Sequence, residues 1–185
     1  MTKRAFDFAL ALLGLPFAAP VVLACMAAIR LSSPGPAIFR QTRVGRHGKP
    51  FTCYKLRTMR TGTADAPTHQ AEPHAVTPLG RHLRRLKLDE LPQLWNVLRG
   101  DMSFVGPRPC LPSQTGLVAA RRRLGLDALR PGITGVSQVA GIDMSDPERL
   151  AAHDATYLAA MSVAADIRLI VATAAGAGRR DHFRP

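Results

Sequence analysis

The sequence predicts a mixed α/β fold that is mostly helical, with an apolar N-terminal segment followed by a small β-hairpin and several helices. Three observations predict it. Residues 8–29 carry no charge, two strand-like runs flank Gly45-Arg46-His47-Gly48, and leucines recur at helical spacing after residue 78. The 185 residues are enough for one domain with a hydrophobic core, and the apolar share of 46% excludes a disordered chain.

The charge balance indicates an anionic partner. The net charge of +12 suits nucleic acid, a membrane surface or phosphorylated small molecules. A non-catalytic basic protein that binds membranes or nucleic acid is therefore one alternative. Aromatic residues make up only 5%, and no basic region lies beside stacking aromatics, which disfavours nucleic acid. Three cysteines without a CxxC spacing argue against a disulfide framework or a zinc ribbon.

The N-terminal apolar segment has two interpretations. As a straight helix it would be about 33 Å long, enough to cross a hydrocarbon core of roughly 30 Å. However, Pro16 and Pro20 fall in its middle, and both flanks are cationic, which favours the cytoplasmic side for both ends. The residues alone leave a spanning helix and a re-entrant hairpin of two short helices equally open. A secretory signal is disfavoured because the cation-rich stretch that follows would resist export.

The remaining elements are predicted from turn-forming residues and from the spacing of apolar residues. The turn cluster 32–36 ends the apolar segment, and we expect a hairpin, a loop, five helices and a polar tail after it. The strands cover 37–41 and 50–55, the loop 61–78, the helices 79–86, 91–98, 117–126, 146–161 and 163–175, and the tail begins at 176. Arg121, Arg122 and Arg123 are explained as a solvated or lipid-facing cationic face. The predicted organisation is a membrane-anchoring segment over 1–31, a folded domain over 32–175, which the resemblance given below makes the catalytic domain, and a tail over 176–185.

Two adjacent carboxylates, Asp89 and Glu90, precede Pro92, which is tolerated only in the first turn of a helix. They therefore lie at or just before a helix N-terminus, where free N–H groups and the macrodipole favour ionised carboxylates. Taken alone, the pair is better explained as a simple helix cap than as an active site. Arg108 and Arg130 lie on two stiff Gly/Pro loops. These loops suit a phosphate clamp, with glycines that let the backbone approach a ligand.

Several long blocks of the chain, in one order, resemble the bacterial sugar transferases, which are small monotopic polyprenyl-phosphate phosphoglycosyl transferases. The blocks are KRAFDFALALLGLPFAAP, SSPGPAIFRQTRVGRHGKPFTCYKLRTM, TPLGRHLRRLKLDELPQLWNVLRGDMSFVGPRP and LRPGITGVSQVAGIDMSDPERLAAHDATYL. The resemblance runs from about Lys3 to about Thr173. Nothing precedes the apolar segment, so we expect the minimal catalytic form without the multi-helix membrane domain of larger relatives.

The resemblance implies an activity and a place. The enzyme would move a sugar-1-phosphate from a UDP-sugar to polyprenyl (undecaprenyl) phosphate and release UMP, which initiates surface glycan assembly. It would act at the cytoplasmic face of the bacterial inner membrane, in contact with anionic lipids, with Mg²⁺ as cofactor and without nucleic acid. A homo-oligomer is left open.

The resemblance also implies roles for individual residues. Asp89 would be the nucleophile that forms a covalent phosphosugar intermediate and would lie near the metal, and Glu90 would assist it. Basic residues of the family's motifs match Lys55, Arg84, Arg108 and Arg130, and an acidic residue near the site matches Asp154. Pro20 aligns with a helix-breaking proline at the membrane bend, which favours the re-entrant hairpin.

Overall fold

The computed structural model describes residues 2–63 and 73–178 of the chain. Within them the predicted mixed, mostly helical class is confirmed. The helices are α1 (Lys3–Ser32), α2 (Pro78–Arg85), α3 (Gln93–Arg99), α4 (Thr115–Arg123), α5 (Val136–Val139), α6 (Pro147–Ala160) and α7 (Val163–Ala174), and the strands are β1 (Ile38–Val44), β2 (Pro50–Leu56), β3 (Ser103–Val105) and β4 (Gly132–Thr134). Much of the loop predicted over 61–78, and most of the tail predicted from 176, lie outside the described residues.

The N-terminal apolar segment forms one uninterrupted helix, α1, which contains both Pro16 and Pro20. The expected pair of short helices is therefore not confirmed. Thr2 caps the helix at its start, where its side chain accepts a hydrogen bond from Ala5 N. Among the described residues, α1 is the one helix long and apolar enough to cross a membrane.

One face of α1 packs against the rest of the protein along most of the helix. Ala11 and Ala18 belong to a core with residues of β2 and α3, including Cys53 and Val97. Ile29, eleven residues further on, belongs to a second core. The opposite face exposes large apolar side chains: Phe8, Leu12, Leu13, Phe17, Val21, Leu23 and Leu31. Thus, within residues 2–63 and 73–178, α1 has one protein-facing stripe and one apolar face without a protein partner.

Polar contacts hold the N-terminal end of α1. Lys3 Nζ lies 2.6 Å from Asp166 Oδ2 on α7. Arg4 donates to the carbonyls of Val97 and Leu98 at 2.6 and 2.9 Å. The buried Asp7 carboxylate accepts from Phe104 N at 3.1 Å.

Polar contacts also hold the segment just after α1. Arg57, which follows β2, donates to Ser33 O at 2.9 Å and also to the carbonyl of Pro34. Both ends of α1 are therefore fastened to the same folded unit.

The predicted hairpin is confirmed. Strands β1 and β2 pair antiparallel, with Ile38 opposite Leu56 and Val44 opposite Pro50. A 3₁₀ turn over Arg46–Gly48 joins them. The side chain of Asn96 on α3 bridges to β2, accepting from Tyr54 N at 3.1 Å and donating to Thr52 O at 2.7 Å. This amide sets the position of α3 against the hairpin.

A second sheet was not predicted. Strands β3 and β4 pair in parallel, with Ser103 opposite Gly132 and Val105 opposite Thr134. This brings the two Gly/Pro loops together, because a Cβ at Gly132 or Gly135 would collide with the backbone of Gly106. The expectation that these glycines admit a ligand is therefore corrected, since they admit a neighbouring backbone instead.

Candidate active site

Asp89 and Glu90 lie in a 3₁₀ turn, Leu88–Glu90, directly before α3, as predicted from Pro92. Lys87 enters the turn in the left-handed region with φ of 56°. Leu88 packs against the Ile29 core and Leu91 against the Ala18 core. The turn that carries both carboxylates thus lies between the two hydrophobic cores to which α1 contributes.

Glu90 is fixed by cations. Its Oε1 lies 2.8 Å from Lys55 Nζ and 3.8 Å from Arg108 Nη2. Burial by itself raises the pKa of Glu90, but Lys55 and Arg108, with a smaller effect from Lys87, outweigh it and lower the pKa to about 2. Glu90 is therefore ionised throughout the physiological range.

The pKa of Asp89 is shifted in the opposite direction. Its exposure is 8%, and burial raises its pKa to about 6, with neighbouring Glu90 adding to the rise. Lys55, Arg84 and Arg108 offset part of the effect. Two adjacent carboxyl groups thus have widely separated pKa values, an arrangement that marks functional sites and assigns different tasks to the two acids.

Three of the four predicted cations gather around this turn. Lys55 comes from β2 and Arg108 from the loop after β3, and both contact Glu90. Arg84 comes from the end of α2 and lowers the pKa of Asp89. Its Nε also donates to Thr58 Oγ1 at 2.9 Å. The result is a buried carboxylate with three cations around it, which suits a phosphate-bearing substrate.

Arg130 is placed elsewhere. Its Nε donates to Gly100 O at 2.8 Å, beside the two carbonyls that Arg4 binds. Gly100 ends α3 with φ of 89°, so Arg130 caps the end of α3 that is remote from the carboxylates. The two loops meet through their glycines, but the Arg108 and Arg130 side chains diverge.

Asp154 is also set back from the two carboxylates. It is buried on α6, and its Oδ2 accepts from Arg121 Nη2 at 2.9 Å. Arg121 Nη1 in turn donates to Arg108 O at 2.7 Å. Within the described residues, these contacts link Asp154 to the site through Arg121.

Sequence reasoning missed Arg121 by grouping it with Arg122 and Arg123. The structure buries Arg121 and exposes its two neighbours. The signal was available in the helical spacing, because Leu117, Ala120 and Arg121 share the buried face of α4.

The carboxylates can be tested against a magnesium ion. The described residues contain no group of three or more His, Cys, Asp or Glu side chains that could hold a metal. Magnesium commonly uses one or two carboxylates and completes its shell with water and substrate phosphates. Glu90 is paired with Lys55, which leaves Asp89 as the carboxylate able to contribute. The residues fit an ion shared with a substrate diphosphate.

Comparisons with known proteins agree on one family. A family model described as bacterial sugar transferase matches residues 1–179. The protein of Caulobacter vibrioides named UDP-glucose:undecaprenyl-phosphate glucose-1-phosphate transferase is 42% identical over 183 residues, covering 94% of this chain and 68% of that protein. A protein of the same name from Escherichia coli is 39% identical over 182 residues, covering 94% of this chain but only 39% of that protein.

A third relative is close to this chain in length. The exopolysaccharide production protein PSS of Rhizobium leguminosarum bv. phaseoli is 38% identical over 185 residues, covering 92% of each chain. The family model matches nearly the whole sequence, and the relatives include both longer proteins and one of similar length. The protein therefore belongs to the bacterial sugar transferase family.

Proposed function

We propose that the protein transfers a sugar-1-phosphate from a UDP-sugar to polyprenyl phosphate, through a covalent intermediate on Asp89. The observation that carries the proposal is the buried Asp89 carboxylate beside an ionised Glu90, with Lys55, Arg84 and Arg108 around them. The names of the Caulobacter and Escherichia coli relatives describe this type of transfer for glucose. The sugar used by this chain is left to experiment.

The first half-reaction is attack by an Asp89 oxygen on the phosphorus that carries the sugar. The bond from that phosphorus to the bridging oxygen breaks, and UMP leaves with the electron pair. Phosphoryl transfer depends mainly on positioning and on neutralising charge. Lys55, Arg84 and Arg108 supply positive charge for the diphosphate, and Glu90 keeps Lys55 in place.

The second half-reaction regenerates the enzyme. A phosphate oxygen of polyprenyl phosphate attacks the same phosphorus, the bond from phosphorus to Asp89 breaks, and the carboxylate is released. The product is a lipid-linked diphosphate sugar. Burial aids the first step, since it makes the Asp89 carboxylate less stable as a free anion, and it keeps competing water away from the intermediate.

Asp89 would be the residue that holds a magnesium ion, and the ion would supply neutralisation of phosphate charge. The chain itself presents the Asp89 carboxylate, while Lys55 forms an ion pair with the Glu90 carboxylate. This division of labour explains why two adjacent acids have different partners.

The protein would act at the cytoplasmic face of the membrane, with α1 bent at Pro16 and Pro20 within the bilayer so that both of its ends stay on that side. Support comes from the contacts of α1, because its protein-facing stripe extends from Asp7 to Ile29 and both of its ends are fastened to one folded unit. A spanning helix would separate its ends by the hydrocarbon core. The exposed apolar face of α1 would contact lipid, and we expect the Asp89–Glu90 turn to lie near the headgroups.

Topology is tested with an impermeant thiol reagent on inverted and right-side-out vesicles carrying Ala5→Cys or Leu31→Cys. Both positions are exposed, Cys53 and Cys110 are buried, and the half-buried Cys25 is replaced by Ser in both variants. Re-entry predicts that both new cysteines react only in inverted vesicles. Labelling from opposite sides would instead establish a spanning α1.

The reaction is tested by release of UMP from a panel of UDP-sugars, using detergent-solubilised protein, Mg²⁺ and polyprenyl phosphate. Wild-type protein should turn over with at least one sugar. It should also retain a labelled phosphosugar on Asp89 when the lipid acceptor is omitted. Asp89→Asn should abolish both signals. Retention of most of the rate by Asp89→Asn would refute the nucleophile, and binding without any UMP release would favour the non-catalytic alternative.

A further inference from the structure

The loop that presents Arg108 to Glu90 is anchored at four consecutive carbonyls. Pro107 O accepts from Gly132 N and Cys110 O from Val44 N, each at 2.9 Å. Arg108 O accepts from Arg121 Nη1 at 2.7 Å. Pro109 O accepts from Arg43 Nη1 at 3.0 Å. Since Pro107 and Pro109 have no N–H, the loop depends on its carbonyls for anchoring.

Arg121 is the anchor closest to the functional side chain, because it binds the carbonyl of Arg108 itself. The Arg121 side chain is 9% exposed and that of its partner Asp154 is 1% exposed. Within the described part of the chain, Asp154 Oδ1 and Arg121 Nε have no hydrogen-bond partner. A buried ion pair that is only partly satisfied contributes little net stability compared with apolar residues of similar size. The pair therefore needs an explanation other than stability.

We propose that Arg121, locked by Asp154, is a positioning residue that sets the placement of Arg108 over the two carboxylates. The inference rests on the proposed function, because it gives Arg108 a role with the substrate diphosphate. Arg121 does not reach the reacting atoms. It acts through the Arg108 backbone, so its loss should have an effect only while Arg108 is present.

The main test variant is Arg121→Met/Asp154→Leu, which removes both charges together and leaves no orphaned buried ion. Arg122→Met is the matched control, since Arg122 is the exposed neighbour on the same helix. UMP release should fall about tenfold in kcat/KM for the double variant, the effect of weakening one charged contact to the transferred phosphate. Arg122→Met should behave as wild type.

A double-mutant cycle separates positioning from general damage. The loss caused by Arg121→Met/Asp154→Leu should persist in a Lys55→Met background, because Lys55 is held by β2. It should shrink to less than about twofold in an Arg108→Met background. Equal losses in both backgrounds, or wild-type activity in the double variant, would overturn the proposal.

Cys110 provides a readout that does not depend on activity. It lies two residues after Arg108 and is buried, and Cys53 on β2 is buried equally. Loss of the Arg121 anchor should accelerate alkylation of Cys110 about tenfold, the effect of one charged hydrogen bond on a local opening equilibrium. Cys53 should remain slow.

The direction of this change is informative. Burial raises the pKa of the Cys110 thiol and Arg121 lowers it, so removing Arg121 without opening the loop would slow the reaction. Equal acceleration at both cysteines, or none at Cys110, would refute local positioning. If wild-type protein releases no UMP, the proposed function fails, and the alkylation rates still decide whether Arg121 holds the loop.

Discussion

Replacing Asp89 by Asn should stabilise the folded protein at neutral pH. In the native state the pKa of Asp89 is about 6, against 3.8 for a free aspartate. Each pKa unit is worth 1.36 kcal/mol, so holding this carboxyl group ionised costs about 3 kcal/mol. Asparagine has nearly the same shape without the charge. For a chain of this size, Tm should rise by about 6–12 °C.

The stabilisation should depend on pH in a defined direction. The folded state of the wild-type protein binds a proton at Asp89 more tightly than the unfolded state, so its stability falls as pH rises from 4 to 6. The difference between the variant and wild-type protein should thus be small at pH 4 and should level off above pH 7. EDTA is included so that no metal ion at Asp89 alters the titration.

The assay is thermal unfolding in detergent in a Cys25→Ser background, because Cys25 is only half-buried, and it uses a thiol-reactive dye that reaches Cys53 and Cys110 only on unfolding. Glu90→Gln is the matched control with the opposite sign. The pKa of Glu90 is held near 2 by Lys55 and Arg108 against the effect of burial, so its charge stabilises the fold above about pH 4.5. A lower Tm for Asp89→Asn than for wild-type protein at pH 8 would refute the electrostatic reasoning.

Two further predictions concern contacts away from Asp89 and Glu90. Arg130→Met removes the hydrogen bond that caps α3 and should lower the stability by about 1.5–3 kcal/mol in thermal unfolding. UMP release per folded molecule should stay near wild type. A selective loss of activity would indicate instead that Arg130 contacts the substrate. Lys3→Met leaves the buried Asp166 carboxylate without its cation and should destabilise by about 3–5 kcal/mol. Adding Asp166→Asn should recover much of that loss, and no recovery would contradict the pairing.

The position of the two carboxylates could be predicted because local signals enclose it. Pro92 restricts where α3 begins and Gly100 ends it in the left-handed region, so the chain itself locates Asp89 and Glu90. The hairpin was predictable for a similar reason, since its turn and its strands are contiguous. The chemical role of the two carboxylates could not be predicted from these local signals. It was predicted only from the resemblance to the family.

The features that were missed depend on contacts between distant segments. Strands β3 and β4 are three residues each and pair across almost thirty residues of chain, too short for a periodic signal. The contact of Arg121 with Asp154 joins α4 to α6. Arg130 shares a stiff loop type with Arg108, yet its direction is set by the end of α3. No local pattern encodes these outcomes.

The fastening of α1 has a consequence for biosynthesis. When α1 leaves the ribosome, its partners have not yet been synthesised. Val97 lies 93 residues after Arg4, and Asp166 lies 163 residues after Lys3. The nascent helix must wait in the lipid, or with a chaperone, with Lys3, Arg4 and Asp7 still hydrated. The Lys3 contact with α7 is among the last to form, so truncation before α7 should leave a chain in which Lys3 has no partner while Arg4 and Asp7 can still dock.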